Sequence, residues 1–411
     1  MHVVFITQYF APEVGATQTR VLEFARACRR RGHRVTVLTE MPNHPHGRID
    51  APYRGRLVMW DAIDDVDVLR VWVWTRPRKT HATRLAFYTT FFTMATLSGA
   101  TALRDVDVVI ATSPPLSVGL IGWLLAVRHR ARFVLDVRDL WPAVIGAVTN
   151  LDRSAVVRAA EALERFLYRR ASHITAVTRG FVRHIQARVP EPARVTWLPN
   201  GASTDLFHPG RCDPELRRRL GLERAFIVTF AGLHGLAQGL ETVIDAAARL
   251  VDRPDIVFLF IGDGPAKPGL VAQAHALGLS SVRFLPMMPT ADVAPYLIAS
   301  DVLLVPLRAH PVFSTFVPSK LYDYLACGRP VILSVDGEAR EILDASGGGR
   351  FCPSGDAGAL AGAVREMSCL PADARARMGE SGRAFVVEHY SRDAQAVRLA
   401  DLVECVQNTP R

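Results

Sequence analysis

Short apolar runs rich in β-branched residues alternate with segments of helical periodicity along almost the whole chain, in two successive series. In the first, HVVFIT leads through a loop to TRVLEFARACRRRGH, whose Val21, Phe24, Ala25 and Cys28 recur at helical spacing. Arg29, Arg30 and Arg31 load the end of that helix, Gly32 stops it, and RVTVLTE is the next strand. VDVVIATS, ARFVLDVRD, HITAVT and RVTWLPNG continue the pattern. The second series begins after about residue 210: FIVTFAG, IVFLFIGDG, VRFLP, VLLVPL and PVILS are each separated from the next by a helical stretch. Strict alternation of this kind predicts parallel sheets covered by helices on both faces.

A chain of 411 residues is too long for one ordinary core. The expected architecture is therefore α/β: two Rossmann-like domains whose parallel sheets face each other across a cleft. The first spans residues 1–200 and the second 201–385, joined at the turn-rich stretch NGASTDLFHPG. Residues 386–411 hold a last helix, about Arg392–Cys405, expected to cross back to the first domain.

Charge divides along the same line. Residues 1–200 carry 28 Lys+Arg against 16 Asp+Glu, and residues 201–411 carry 21 against 24. A basic first half points to an anionic partner such as a phospholipid surface or a lipid diphosphate. No nucleic-acid motif accompanies it, so nucleic acid is not an expected partner. The six cysteines lack metal or redox spacing and read as reduced thiols in a cytosolic compartment. MHVVFITQYFAP reads as a first strand rather than a signal peptide. Leu85–Leu103 is free of charge but rich in threonine, which favours a buried or interfacial helix over a membrane span.

In parallel sheets, ligands bind beyond the carboxyl ends of the strands. Three loops of the second series lie there. AGLHGLAQG contains Gly232, His234, Gly235 and Gly239, where backbone can approach a phosphate. GDGPAKPG starts at Gly262. FVPSKLYDYLACGRPVI places Ser319 as an N-cap, Lys320 at the helix start and Asp323 three residues on. Helix starts favour anions, so a cation there is adversely placed unless an anionic ligand binds beside it. Lys320 with helix N–H groups would suit a diphosphate, and Asp323 could accept hydrogen bonds from ribose hydroxyls. The strings Asp65-Val66-Asp67 and Asp105-Val106-Asp107 precede strands, at the wrong end of a sheet for a metal site, and read as solvated turns.

Taken together, PNGASTDLFHP, FIGDGP with LGLSSVRFLPMMPTADVAPYLIASDVLLVPL, SKLYDYLACGRPVI and VGATQTRVLEFARACRRRGHRVTVLT resemble the retaining glycosyltransferases of family 4, which have the GT-B fold. AGLHGLAQGLETVI, VRDLWP and VPSK further resemble the branch that transfers N-acetylated amino sugars in bacterial O-antigen and surface-polysaccharide assembly. The resemblance implies a metal-independent, retaining transfer from a UDP-sugar, with no cofactor. It implies that Asp323 holds the ribose, that Gly15 lies in the loop meeting the donor phosphates, and that Phe284–Met288, including Leu285 and Met288, contacts the base. Thr315, eight residues before Asp323, stands where the family has a glutamate touching the donor sugar. Gln238-Gly239 replaces the usual Lys-Gly, which leaves Lys320 as the candidate phosphate ligand. Ser113, Arg138 and Asp139 occupy the region of the usual first-domain histidine, with Asp139 as candidate base or orienter.

The acceptor side is expected in the first domain. VWVWTRPRKTHATRLAFYTTFF sets Trp72 and Trp74 beside Arg76, Arg78, Lys79 and Arg84, ahead of Phe87, Phe91 and Phe92. That composition suits a polyprenyl-diphosphate-linked or lipopolysaccharide acceptor and peripheral attachment to an anionic, cytoplasmic membrane face. Two alternative readings are a UDP-sugar epimerase of similar shape and a catalytically inactive nucleotide-sugar-binding relative.

Overall fold

The structure, a computed structural model, describes residues 1–13, 15–44, 46–77, 80–142 and 155–409. Arg78 and Lys79 of the basic stretch lie outside the described residues. The chain divides into two units, Met1–Pro199 with Asp393–Arg411, and Asn200–Arg392.

The first unit is built on β1 (His2–Ile6), β2 (Arg34–Glu40), β3 (Val58–Ile63), β4 (Val66–Val71), β5 (Val108–Ser113), β6 (Arg132–Val137), β7 (His173–Ala176) and β8 (Val195–Trp197). They form one sheet in the order β3-β4-β2-β1-β5-β6-β7-β8. Every pairing is parallel except β3 with β4. That hairpin turns at Asp64 and Asp65, both with positive φ, a two-residue connection of the kind that matches strand twist. The Asp65-Val66-Asp67 string thus sits at a hairpin turn. All six residues of β5 are buried, as a central parallel strand requires, whereas β3 at the edge alternates exposed and half-buried positions.

The principal helices here are α1 (Ala16–Arg30), α2 (His81–Ala102) and α3 (Leu116–His129). No helix among the described residues is long and apolar enough to cross a membrane. The C-terminal helix, Arg392–Asn408, extends beyond the predicted Cys405. Its Ala396, Leu399, Ala400 and Val403 join Val3, Phe5, Val21 and Phe24 in one buried cluster. Burying such side chains contributes about 1.5–3 kcal/mol each for the larger ones, which fixes this helix to the first unit.

The second unit has β9 (Phe226–Ala231), β10 (Ile256–Ile261), β11 (Val282–Leu285), β12 (Val302–Pro306), β13 (Val331–Ser334) and β14 (Gly349–Phe351). The sheet is parallel throughout, in the order β11-β10-β9-β12-β13-β14. Strand order reverses between β9 and β12, so the loops leaving those two strands flank a topological switch point.

Candidate functional site

The loops beyond β9, β10 and β12 lock together around backbone contacts. Gly232 donates from its N–H to the Ile261 carbonyl at 2.8 Å, His234 to that of Asp263 at 2.8 Å, and Arg308 to that of Ala237 at 2.9 Å. Gly262 has φ 141°, and a Cβ there would lie 2.0 Å from the Gly232 carbonyl oxygen, so only glycine allows this approach. Lys320 extends across Gly232: a Cβ at 232 would fall 2.6 Å from Lys320 Cε and 2.9 Å from Nζ.

The helix Ser319–Ala326 delivers that lysine. Its N-cap is Pro318, not Ser319, and no side chain caps it. Ser319 is instead the first helical residue, because proline's fixed φ suits the position just outside a helix start. Tyr324 anchors the helix to the end of β9: its hydroxyl accepts from the Ala231 N–H at 2.8 Å and donates to the Ala231 carbonyl at 3.0 Å. Lys320 Nζ lies 5.2 Å from the centroid of the Phe230 ring. Burial lowers its ammonium to about 8, partly offset by Asp323. A cation kept half-dehydrated over a ring face, with no salt bridge among the described residues, is ready for an anion.

Asp323 Oδ1 accepts from the Ser203 N–H at 3.3 Å and from Arg392 Nη2 at 3.4 Å. Arg392 also donates to Ser203 Oγ. Burial raises the Asp323 carboxyl, while Arg392, the Ser203 N–H and Lys320 pull it down. Oδ2 makes no hydrogen bond among the described residues, leaving one oxygen of the acid free to accept.

His234 takes a different place from the one predicted at a phosphate. It is 0 % exposed, among Phe230, Phe260 and Phe284, and among the described residues neither ring nitrogen makes a hydrogen bond of good geometry. Burial, reinforced by Lys267, lowers it to about 4, so the ring is neutral and belongs to the core. Gly235 begins the short turn Leu236–Gln238 beside it. Leu285 ends β11, and its carbonyl accepts from Lys267 Nζ at 2.9 Å, as does that of Gly262 at 2.7 Å. Leu285 and Met288 are half-buried. Thr315 closes the turn Pro311–Thr315, with its hydroxyl donating to the Val312 carbonyl at 2.8 Å.

Sequence reasoning assigned no role to Lys267, Tyr324, Arg392 or Ser203. A signal existed for the lysine: only three lysines, Lys79, Lys267 and Lys320, stand among 49 basic residues. Where arginine is the default cation, a lysine marks a position needing a compact ammonium, and Lys267 uses it to bridge two carbonyls that a planar guanidinium fits poorly.

In the first unit, the switch point lies between β1 and β5. Gly15 is the N-cap of α1, its carbonyl accepting from the N–H of Thr19 at 3.1 Å and from its hydroxyl at 3.0 Å. Gln8, just beyond β1, is 2 % exposed, and neither of its amide atoms has a hydrogen-bond partner among the described residues. Arg138 follows β6 and donates from its backbone N–H to the Ser113 carbonyl at 2.9 Å. Two residues earlier, the buried Asp136 pairs with Arg20 at 3.2 Å and accepts from Thr175 at 2.8 Å. Arg20 also donates to the Leu198 and Pro199 carbonyls, each at 2.9 Å. Asp139 is pushed up to about 6 by burial, with Arg138 opposing.

Residues 15–201 match the model described as the glycosyl transferase 4-like domain, and residues 225–369 match that of the group 1 glycosyl transferases. The chain is 26% identical over 308 residues to the probable glycosyltransferase WbjE of Pseudomonas aeruginosa, covering 74% of this chain and 75% of that protein. It is 24% identical over 375 residues to the putative colanic acid biosynthesis glycosyl transferase WcaI of Escherichia coli K12, covering 88% and 91%. Among solved structures, WaaG, a glycosyltransferase involved in lipopolysaccharide biosynthesis, superposes with a TM-score of 0.72 at 20% identity, over 98% of this chain and 99% of that one. Anabaena HepE in complex with UDP-glucose does so with a TM-score of 0.74 at 17% identity, over 98% and 100%. The fold is GT-B.

Proposed function

We propose that this chain, a glycosyltransferase with a 4-like first domain and a group 1 second domain, moves a sugar from a UDP-sugar to a lipid-linked acceptor in the assembly of a bacterial surface glycan. The sugar we assign is an N-acetylated amino sugar and the transfer a retaining one. The acceptor is polyprenyl-diphosphate-linked or a lipopolysaccharide, met at an anionic cytoplasmic membrane face to which the protein attaches peripherally. The similarity to WbjE, WcaI and WaaG supports the setting, and the UDP-glucose complex of HepE supports the donor class.

One observation carries the reading: Lys320, with no salt bridge among the described residues, lies across Gly232 at the switch point, one helical turn from the Asp323 oxygen that makes no hydrogen bond among them. A departing diphosphate gains negative charge as the glycosidic bond lengthens. Lys320 and the backbone N–H groups at the start of its helix would stabilise that charge without a metal or other cofactor. Asp323 Oδ2 would accept from the ribose. Retention needs no protein nucleophile, because the leaving phosphate oxygen can take the acceptor's proton on the same face. Asp139, nearly neutral at mildly acidic pH and ionised above it, would orient the acceptor hydroxyl or share its proton.

Incubation with UDP-N-acetylhexosamines and a polyprenyl-diphosphate-linked saccharide tests this. UDP release that requires acceptor, with the donor's anomeric configuration kept in the product, is the predicted result. Conversion of the UDP-sugar without acceptor would make the protein an epimerase. Binding without UDP release would make it an inactive relative, the reading that Thr315 in place of an acid favours.

A further inference from the structure

A cavity of about 180 Å³ opens in the first unit, lined by Thr75, Arg76, Thr83, Arg84, Phe87 and Tyr88. It lies where the chain leaving β4 runs beside the first turns of α2. The Trp74 N–H donates to Thr90 Oγ1 at 3.0 Å, tying that segment to the helix. The Gly47 backbone packs against the Arg76 carbonyl, where a Cβ would come to 2.4 Å, and holds it from the other side. Both walls are thus fixed by packing.

Two arginines, Arg76 and Arg84, line this small space. Among the described residues neither Arg76 nor Arg84 forms an ion pair, and the side-chain contact Arg76 does make is with the Trp74 ring, at 5.0 Å from its centroid. Paired arginines without a carboxylate repel each other unless an anion joins them, and the fork geometry of guanidinium fits phosphate oxygens.

From the cavity, α2 continues from Leu85 to its end at Ala102 without a charge. Along its outer face run Leu85, Thr89, Thr93 and Leu97, at steps of four, with Tyr88 and Phe92 beside them. Leu85 and Leu97 are 69% and 60% exposed. Leu85 to Leu97 spans about 18 Å of helix. A cationic socket at the head of an uncharged, partly apolar stripe has the shape of an amphiphile with a phosphate head.

We propose that the Arg76–Arg84 cavity holds the phosphate of a lipid-linked acceptor and that the exposed stripe of α2 lies against its lipid. This rests on the transferase reading above and assigns the acceptor's charged group to named residues. A protein that met only the charge of a membrane would bind any anionic lipid alike. The cavity predicts preference for a lipid phosphate monoester or diphosphate, whose terminal oxygens can enter it.

The test is co-flotation with phosphatidylcholine vesicles carrying either polyprenyl phosphate or phosphatidylglycerol at equal charge. The wild-type protein should favour the polyprenyl phosphate vesicles. Arg76→Gln and Arg84→Gln should each weaken that binding by about tenfold, the scale of one charge-assisted contact, and abolish the preference. Leu85→Gln with Leu97→Gln should weaken binding to both vesicle types. UDP binding, measured alongside, should be unchanged in the arginine variants and so report that they are folded. Equal binding to the two vesicle types, or wild-type preference in the arginine variants, would overturn the proposal. If wild type bound no sugar nucleotide, the transferase reading would fail instead, and the vesicle preference would still decide the cavity.

Discussion

At the scale of single residues, burial moves the titration of two groups toward neutral pH. Asp139 is raised to about 6, and Lys320 is lowered to about 8. Below about 6, Asp139 takes a proton and can no longer orient or accept. Above about 8, Lys320 loses its proton and no longer opposes diphosphate charge. The kcat/KM profile for transfer should therefore be bell-shaped, with limbs near about 6 and about 8. Asp139→Asn should flatten the acid limb. Lys320→Arg should move the alkaline limb upward, because guanidinium stays charged. A profile unchanged in both variants would remove these residues from the reaction.

At the scale of elements, the site rests on how the helix Ser319–Ala326 docks on β9. Tyr324→Phe leaves the Ala231 N–H without that partner, a loss of about 1–3 kcal/mol for a buried donor. Thermal denaturation should show this loss, and UDP affinity should fall with it, since the same helix carries Lys320. A drop in melting temperature with unchanged UDP affinity would separate the helix from the ligand. Elements of this kind were legible in the sequence wherever a buried parallel strand leaves a continuous apolar run, as in VVIATS or IVFLFI. The β3–β4 hairpin was not. VMWDAI lies at a sheet edge, where Val58 and Trp60 are 41% and 47% exposed and no core demands a hydrophobic face. Nor did sequence distinguish Pro318 from Ser319 as the cap, since both lie within one residue of the helix start. His234 shows the limit most clearly. A histidine in a glycine loop suits a phosphate, and only the three phenyl rings brought together from β9, β10 and β11 place it in the core.

At the scale of the whole molecule, each unit has its own sheet, its own core and its own switch point. The two chain segments that pass between the units are tied to each other inside the second. The Ala202 N–H donates to the Tyr390 carbonyl at 2.8 Å, and that of Arg392 to Ala202 at 2.9 Å. Arg392 then reaches Asp323, so the acid assigned to the ribose is also part of this knot. The proposed division of labour follows charge: a basic first unit for an anionic acceptor, and a second unit whose Lys320 would serve the donor. Calorimetric titration of UDP into wild-type protein, Lys320→Ala and Asp323→Asn tests that claim most directly. The account predicts tight binding by wild type, a loss of about tenfold or more in Lys320→Ala, and in Asp323→Asn a smaller loss that disappears when 2′,3′-dideoxy-UDP replaces UDP. Equal UDP affinity in all three proteins would contradict it.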